Sequence, residues 1–187
     1  EINRAALPID TSGIPDDAVI SQAKLKIYAE RISDGDNDGN DFIRIVQTTT
    51  ASTTSLVAED YSQIGTIDNP VSGGDLDLTG ISPGWVTINL NNAGLSWISK
   101  TGWTKLGLRE GHDVVDIVPD YNTSTYVNLY TKNSGPDYSP YLEVTYTVPN
   151  QIPSIPVGLK VEGEINPTAV EDQTPEFTAV YGDPNPT

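Results

Sequence analysis

Cysteine and methionine are both absent from this chain of 187 residues, histidine occurs once, and ten Lys and Arg stand against 26 Asp and Glu. Without cysteine, neither a disulfide framework nor a thiolate metal site can hold the fold. A lone histidine gives no zinc-type ligand spacing. The formal net charge of −16 repels phosphate backbones and anionic bilayers, which argues against nucleic acid and lipid surfaces as partners. The same charge favours solubility and gives a general affinity for cations. No apolar run approaches the roughly 20 residues that span a bilayer, so no membrane insertion is expected, and no signal-like segment opens the sequence. With no Met even at position 1, the chain is expected to be a processed product or a fragment. Its length suits one good core and a smaller remainder.

What is present reads as nearly pure β. In AVISQAKLKIYAERI, Ala23, Leu25, Ile27 and Ala29 alternate with Lys24, Lys26, Tyr28 and Glu30, the pattern of a half-buried strand. WVTINL repeats it with Val86, Ile88 and Leu90 inward, and YLEVTYTV with Leu142, Val144, Tyr146 and Val148 inward. Shorter runs, LPID, FIRIV, KLGLR and YVNLY, are separated by Gly, Pro, Asn and Asp clusters typical of loops. NNAGLSWISKTG predicts one helix, with Leu95 and Ile98 three apart behind an Asn91 or Asn92 cap and Gly102 closing it. Many short strands between turns predict an all-β, antiparallel, jelly-roll-like sandwich over residues 1–148.

Composition shifts after Val148. Residues 149–157 form a Pro-rich linker, with prolines at 149, 153 and 156 that remove backbone donors and stiffen the chain. Residues 158–187 hold two candidate strands, Leu159 to Glu164 and Glu176 to Tyr181, too few to be stable alone in water.

The opening RAALPIDTSGIPDDAVISQAKLKIYA resembles the start of the DNRLRE (disaggregatase-related) β-sandwich domain, through Arg4, Leu7, Ile9, Asp10, Ser12, Ile14, Pro15, Ile20, Ala23, Leu25 and Tyr28. LSWISKTGWTKLGLRE and YSPYLEVTYT resemble later parts of such domains, so the likeness spans about residues 3 to 148. It implies a secreted or cell-surface protein of bacteria or archaea, and some relatives are carbohydrate-binding modules. The matched positions are core positions, so no binding residue carries over. Members usually have strands before the position of Arg4, and Pro8 stands where an apolar residue is usual; Pro in a strand points to an edge or a bulge. The sandwich is thus expected to be short of its first strands. The tail, NPTAVEDQTPEFTAVYGDPNPT, resembles the first strands of an immunoglobulin-like or fibronectin-like repeat.

The loop SDGDNDGND raises a metal question. Asp34, Asp36, Asp38 and Gly39 fit the start of an EF-hand calcium loop, but the twelfth position is Ile45 rather than Glu and strands flank it, which excludes an EF-hand. A looser calcium site using Asp34, Asp36, Asp38 and Asp41 remains one reading; a solvated hairpin loop with Gly35 and Gly39 at positive φ is the other. His112, with Glu110, Asp113 and Asp116 nearby, could suggest a metal or acid–base cluster, but an exposed loop explains it better. No nucleophile motif appears, and a non-catalytic protein is expected. Trp85, Trp97, Trp103 and the nine tyrosines could include a sugar-stacking platform, although most should serve packing. Asn122 in NTS is a glycosylation sequon where the host glycosylates.

Two functions fit these features. One is a structural or adhesive subunit of an extracellular assembly, self-associating head to tail. The tail strand EFTAVYG would add to the open edge of a neighbour, with Phe177, Ala179 and Tyr181 filling its groove. The other is a carbohydrate-binding module whose partner is a polysaccharide. For the tail itself, beginning the next repeat is the competing reading to strand donation.

Overall fold

The computed structural model describes residues 3–33, 35, 38–66, 68–120, 123–131, 134–149, 157–161, 164–165 and 177–180. They divide into two compact units, Glu1–Val148 and Pro149–Thr187. The first is mostly β, with two antiparallel sheets and few short helices, an arrangement consistent with an all-β sandwich.

One sheet is built on β2, Val19–Ser33, which pairs with β5, Gly84–Asn89, along one edge. Its other edge takes β8, Tyr141–Thr147, against Val19 to Lys26, and then β7, Tyr126–Leu129, against Ala29 to Ser33. The register sets Leu25 between Ile88 and Leu142 and pairs Ile27 with Val86. Ala23, Leu25, Ile27, Ala29, Val86, Ile88 and Leu90 are buried as their alternation predicts, while Leu142 and Val144 are half-buried against the same core. Tyr146 and Val148 depart from the expectation and are exposed. They lie where β8 follows the first residues of β2, beyond the reach of β5. Ile20, the partner of Tyr146 in this two-stranded extension, is partly buried against the core, so the extension runs out at the core's edge.

The opposite sheet has the order β1-β6-β3-β4, from β1, Ala5–Asp10, β6, Trp103–Glu110, β3, Phe42–Gln47, and β4, Gly74–Asp77. Pro8 lies on β1, which among the described residues pairs with β6 alone, so its missing N–H falls on an edge strand. Ile43, Ile45, Leu106 and Leu108 point into the common core. Val46, Gly107 and Arg109 have the opposite parity and face outward, where the segment 48–72 covers them. Gly65 donates its N–H to the Gln47 carbonyl at 3.0 Å, and Thr48 bridges to Ile64. Gly107 is needed there, because a Cβ would collide with Ile64.

The predicted helix is present but short. α1, Asn92–Ser96, starts at Asn91, whose Oδ1 accepts the Gly94 N–H at 3.0 Å, and ends at Trp97 rather than near Gly102. The Thr11 hydroxyl engages the Ser99 carbonyl at 2.7 Å and the Gly102 carbonyl at 3.0 Å, which holds the following residues in a loop against β1. A second helix, α2, Gly111–Val115, replaces the exposed loop expected around His112.

In the second unit, β9, Val157–Val161, lies between β10, Glu164–Ile165, and β11, Phe177–Val180, all antiparallel. The two strands expected in the tail are therefore joined by a third, β10.

Leu25 is fully buried at the centre of the first unit. Leu25→Ala is expected to lower unfolding free energy by about 2–5 kcal/mol, the range for a buried Leu that leaves a cavity. Urea denaturation with an unchanged m-value checks this.

Candidate functional site

Since the odd positions of β2 fill the core, the even ones must point outward. Tyr28 thus stands on the water-facing side of its sheet, directly opposite Trp85 on β5. Lys26, one pleat away, lies between Thr87 and Tyr141, and its ammonium donates to the Thr87 hydroxyl at 2.8 Å. Tyr130 follows β7 and is anchored by its N–H to the Tyr28 carbonyl at 3.0 Å. Tyr138 arrives on a short 3-10 turn, Pro136–Tyr138, launched from Gly135 at φ 112°. That backbone angle favours glycine.

Five rings meet here. Tyr28 and Tyr130 stack with centroids 5.4 Å apart and planes 8° apart, and Tyr138 packs edge-on against both at 4.7 and 5.0 Å. Trp85 meets Tyr28 at 5.5 Å and 88° and Tyr141 at 5.4 Å and 66°. Such pairs contribute about 0.5–1.5 kcal/mol each beyond area burial, so the rings are fixed before any ligand arrives. Trp85 and Tyr141 are each 46 % exposed. The rings form a contiguous aromatic patch that is open to water. Of the aromatic residues named from sequence, Trp85 belongs to this platform; Trp97 packs partly buried against the core and Trp103 starts β6 opposite Asp10.

The acidic loop makes a second cluster. Asp34 and Asp36 lie outside the described residues. Asp41 is buried, its Oδ1 accepting from the Thr125 hydroxyl at 2.7 Å and its Oδ2 from the Asp38 N–H at 3.1 Å. Asp38 accepts from the Asn40 N–H at 2.8 Å and the Asn40 side chain at 3.0 Å. Those bonds, aided by His112, hold its pKa below the ordinary carboxylate value. Among the described residues no group of three His, Asp or Glu is arranged to hold a metal ion.

His112 is 2 % exposed, which corrects the expectation of an exposed loop. Glu110 caps α2 by accepting the His112 N–H at 3.0 Å, and its carboxylate also lies 2.7 Å from the imidazole Nδ1. Nε2 is 3.4 Å from Asp38. The imidazole thus bridges the acidic loop and the corner after β6.

Beside it, Asp113 takes Arg109 at 2.6 Å on one oxygen and Arg4 at 2.8 and 2.7 Å across both, with all three side chains almost fully buried. Arg109 also donates to the Thr66 carbonyl, and the Arg4 guanidinium sits 4.1 Å over the Tyr61 ring. Burial alone would raise the Asp113 pKa, but the hydrogen bonds and charges of Arg4 and Arg109 outweigh it and hold the pKa down.

Of the residues named for strand donation, Phe177 lies opposite Val161 in β11 and Ala179 is on the same strand, whereas Tyr181 is outside the described residues. Asn122 is outside them as well. No helix among the described residues is long and apolar enough to cross a membrane. Comparison with family models, curated proteins and solved structures returns no match. The DNRLRE likeness accordingly rests on the sequence pattern.

A depressed Asp113 pKa stabilises the fold above the ordinary Asp value of about 3.9, and that contribution is lost as pH falls through the folded value. Asp113→Asn strands two buried cations and is expected to cost about 3–5 kcal/mol near neutrality. Denaturation between pH 2 and 7 should show the difference from the parent chain shrinking below about pH 4.

Proposed function

We propose that the Glu1–Val148 unit, as a jelly-roll-like sandwich, is a non-catalytic carbohydrate-binding module of an extracellular or cell-surface protein, with polysaccharide as its partner. The observation that carries this reading is the pre-assembled cluster of Tyr28, Trp85, Tyr130, Tyr138 and Tyr141 on an open sheet face. A pyranose ring has an apolar C–H face that stacks on an indole or phenol and a rim of hydroxyls that need polar partners. Lys26, Thr87 and Asn89, on the same face, supply donors and acceptors at the edge of the rings. Rigid rings lose little entropy on binding, which is where preorganisation adds affinity. The resemblance to DNRLRE domains points the same way.

A structural or adhesive subunit assembled head to tail is the second reading. It is favoured by β1, which has one sheet neighbour among the described residues, since an open strand edge is a template for pairing with another chain. Among the described residues β11 pairs with β9 on one side and ends its sheet, so donation by Phe177, Ala179 and Tyr181 would use its other side. Calcium on Asp34, Asp36, Asp38 and Asp41 belongs to either reading as an accessory ion, and would compete with the bonds Asn40 and Thr125 now make.

Trp85→Ala is expected to weaken retardation in polysaccharide-containing gels by about tenfold in affinity, which is 1.4 kcal/mol; losing its two ring pairs lowers the melting temperature by several degrees while the unfolding transition stays cooperative. Retardation equal to that of the parent chain in every gel that binds it overturns the platform reading. Deleting residues 158–187 tests the alternative: head-to-tail assembly by donation must disappear, as read by light scattering, and polymers that survive the deletion exclude the tail as donor.

A further inference from the structure

The first unit also carries a groove of about 410 Å³ on the outer side of the sheet containing β3. That is within the roughly 300–1,000 Å³ of small-ligand clefts. Its position follows from the fold. The segment 48–72 crosses over Val46 and turns at Gly65, at φ 72°, and the loop after it meets Trp97 beyond α1. Trp97 is fixed in place because its six-membered ring lies against Gly73, where a Cβ would collide with it.

The lining has a distinctive chemistry. Pro70, Val71 and Trp97 form an apolar wall, and Gln47, Gln63 and Thr66 place amides and a hydroxyl around it. The described residues that line the groove carry no ionisable side chain, in a chain with 26 acidic and ten basic residues. A charged ligand finds no counter-charge among these residues. A wholly apolar one makes no use of the amides and hydroxyl beside the apolar wall. A neutral ring with one C–H face and a hydroxyl rim satisfies both halves of the lining.

We propose that this groove is a second binding site, for one or two neutral pyranose units, and that the module is bivalent. The inference rests on the carbohydrate-binding reading of the platform, yet it concerns different residues on the opposite side of the domain. The platform covers the outer face of the sheet built on β2, the groove opens from the outer side of the other sheet, and the shared core lies between. Two sites that face apart let one molecule bridge two polysaccharide chains, and avidity then exceeds either affinity alone.

The test is a titration of the isotopically labelled full chain with cellohexaose, xylohexaose, laminarihexaose and mannohexaose, each read by amide chemical shifts. The expected result with at least one of them is a set of shifts at Gln47, Gln63 and Thr66, separate from the set around Trp85. The groove set should persist in Trp85→Ala. It should weaken at least tenfold in Val71→Asp, a position 67 % exposed where a charge is tolerated by the fold but not by the ligand, and also in Gln63→Ala. Shifts confined to the Trp85 set with all four sugars overturn the groove and leave the platform standing. Silence at both sets overturns both. A groove set without a platform set keeps the groove as a site but overturns both the platform and the bivalent module.

Discussion

One strand fixes both the core and the exposed rings of the first unit. β2 runs for 15 residues and is paired along both edges, so its register is fixed by three neighbours at once. Leu25 is held between Ile88 and Leu142, and Ile27 opposite Val86. Side chains in a strand alternate with period two, so burying Leu25 and Ile27 obliges Lys26 and Tyr28 to face water. A one-residue slip would empty the core and bury the platform together. The irregularity between Ala29 and Arg31 comes only after Tyr28, and it lets Ile32 return to the core beside Val127 as the strand enters the acidic loop.

The opposite sheet is organised by charge as well as by apolar packing. Arg109 projects from β6 away from the core and is nonetheless buried, because α2 and the segment 48–72 close over it. A buried guanidinium is tolerated only when its donors are satisfied. Asp113, one helical turn on, and the Thr66 carbonyl satisfy them, while Arg4 at the entry to β1 completes the neutralisation of Asp113. This cluster ties the chain's opening segment, the β6 corner and the covering loop into one body. Ile64, Val46 and Val114, all buried, supply the apolar part of that second layer.

The strands were legible where alternation is long. β2, β5, β3 and β6 each carry several apolar residues at period two, and their burial follows the pattern. β4 was not, because GDLD offers Leu76 alone between two aspartates; its pairing to β3 comes from tertiary context. α2 was missed for a related reason: Glu110 caps it across only five residues, too short for helical periodicity to register. His112 is buried beside Asp38, which is remote in sequence, and no local signal reports such a contact. The platform shows the same limit. Tyr28, Trp85 and Tyr141 are visible as outward positions on separate strands, but their meeting requires the register. Tyr130 and Tyr138 join through loops whose paths no periodicity encodes. The reason Tyr146 fails to point into a core is a matter of sheet outline, since β8 outlasts β5 along β2.

An open aromatic patch is ordinarily an aggregation hazard, since two copies could cover each other's rings. The net charge of −16 opposes that outcome, because each copy approaches another of the same sign while the rings themselves are uncharged. Repulsion of this kind also acts on polyanions such as nucleic acids and leaves a neutral polymer unaffected. The acidic excess and the exposed rings therefore act together: charge keeps identical molecules apart, so the rings stay open to water.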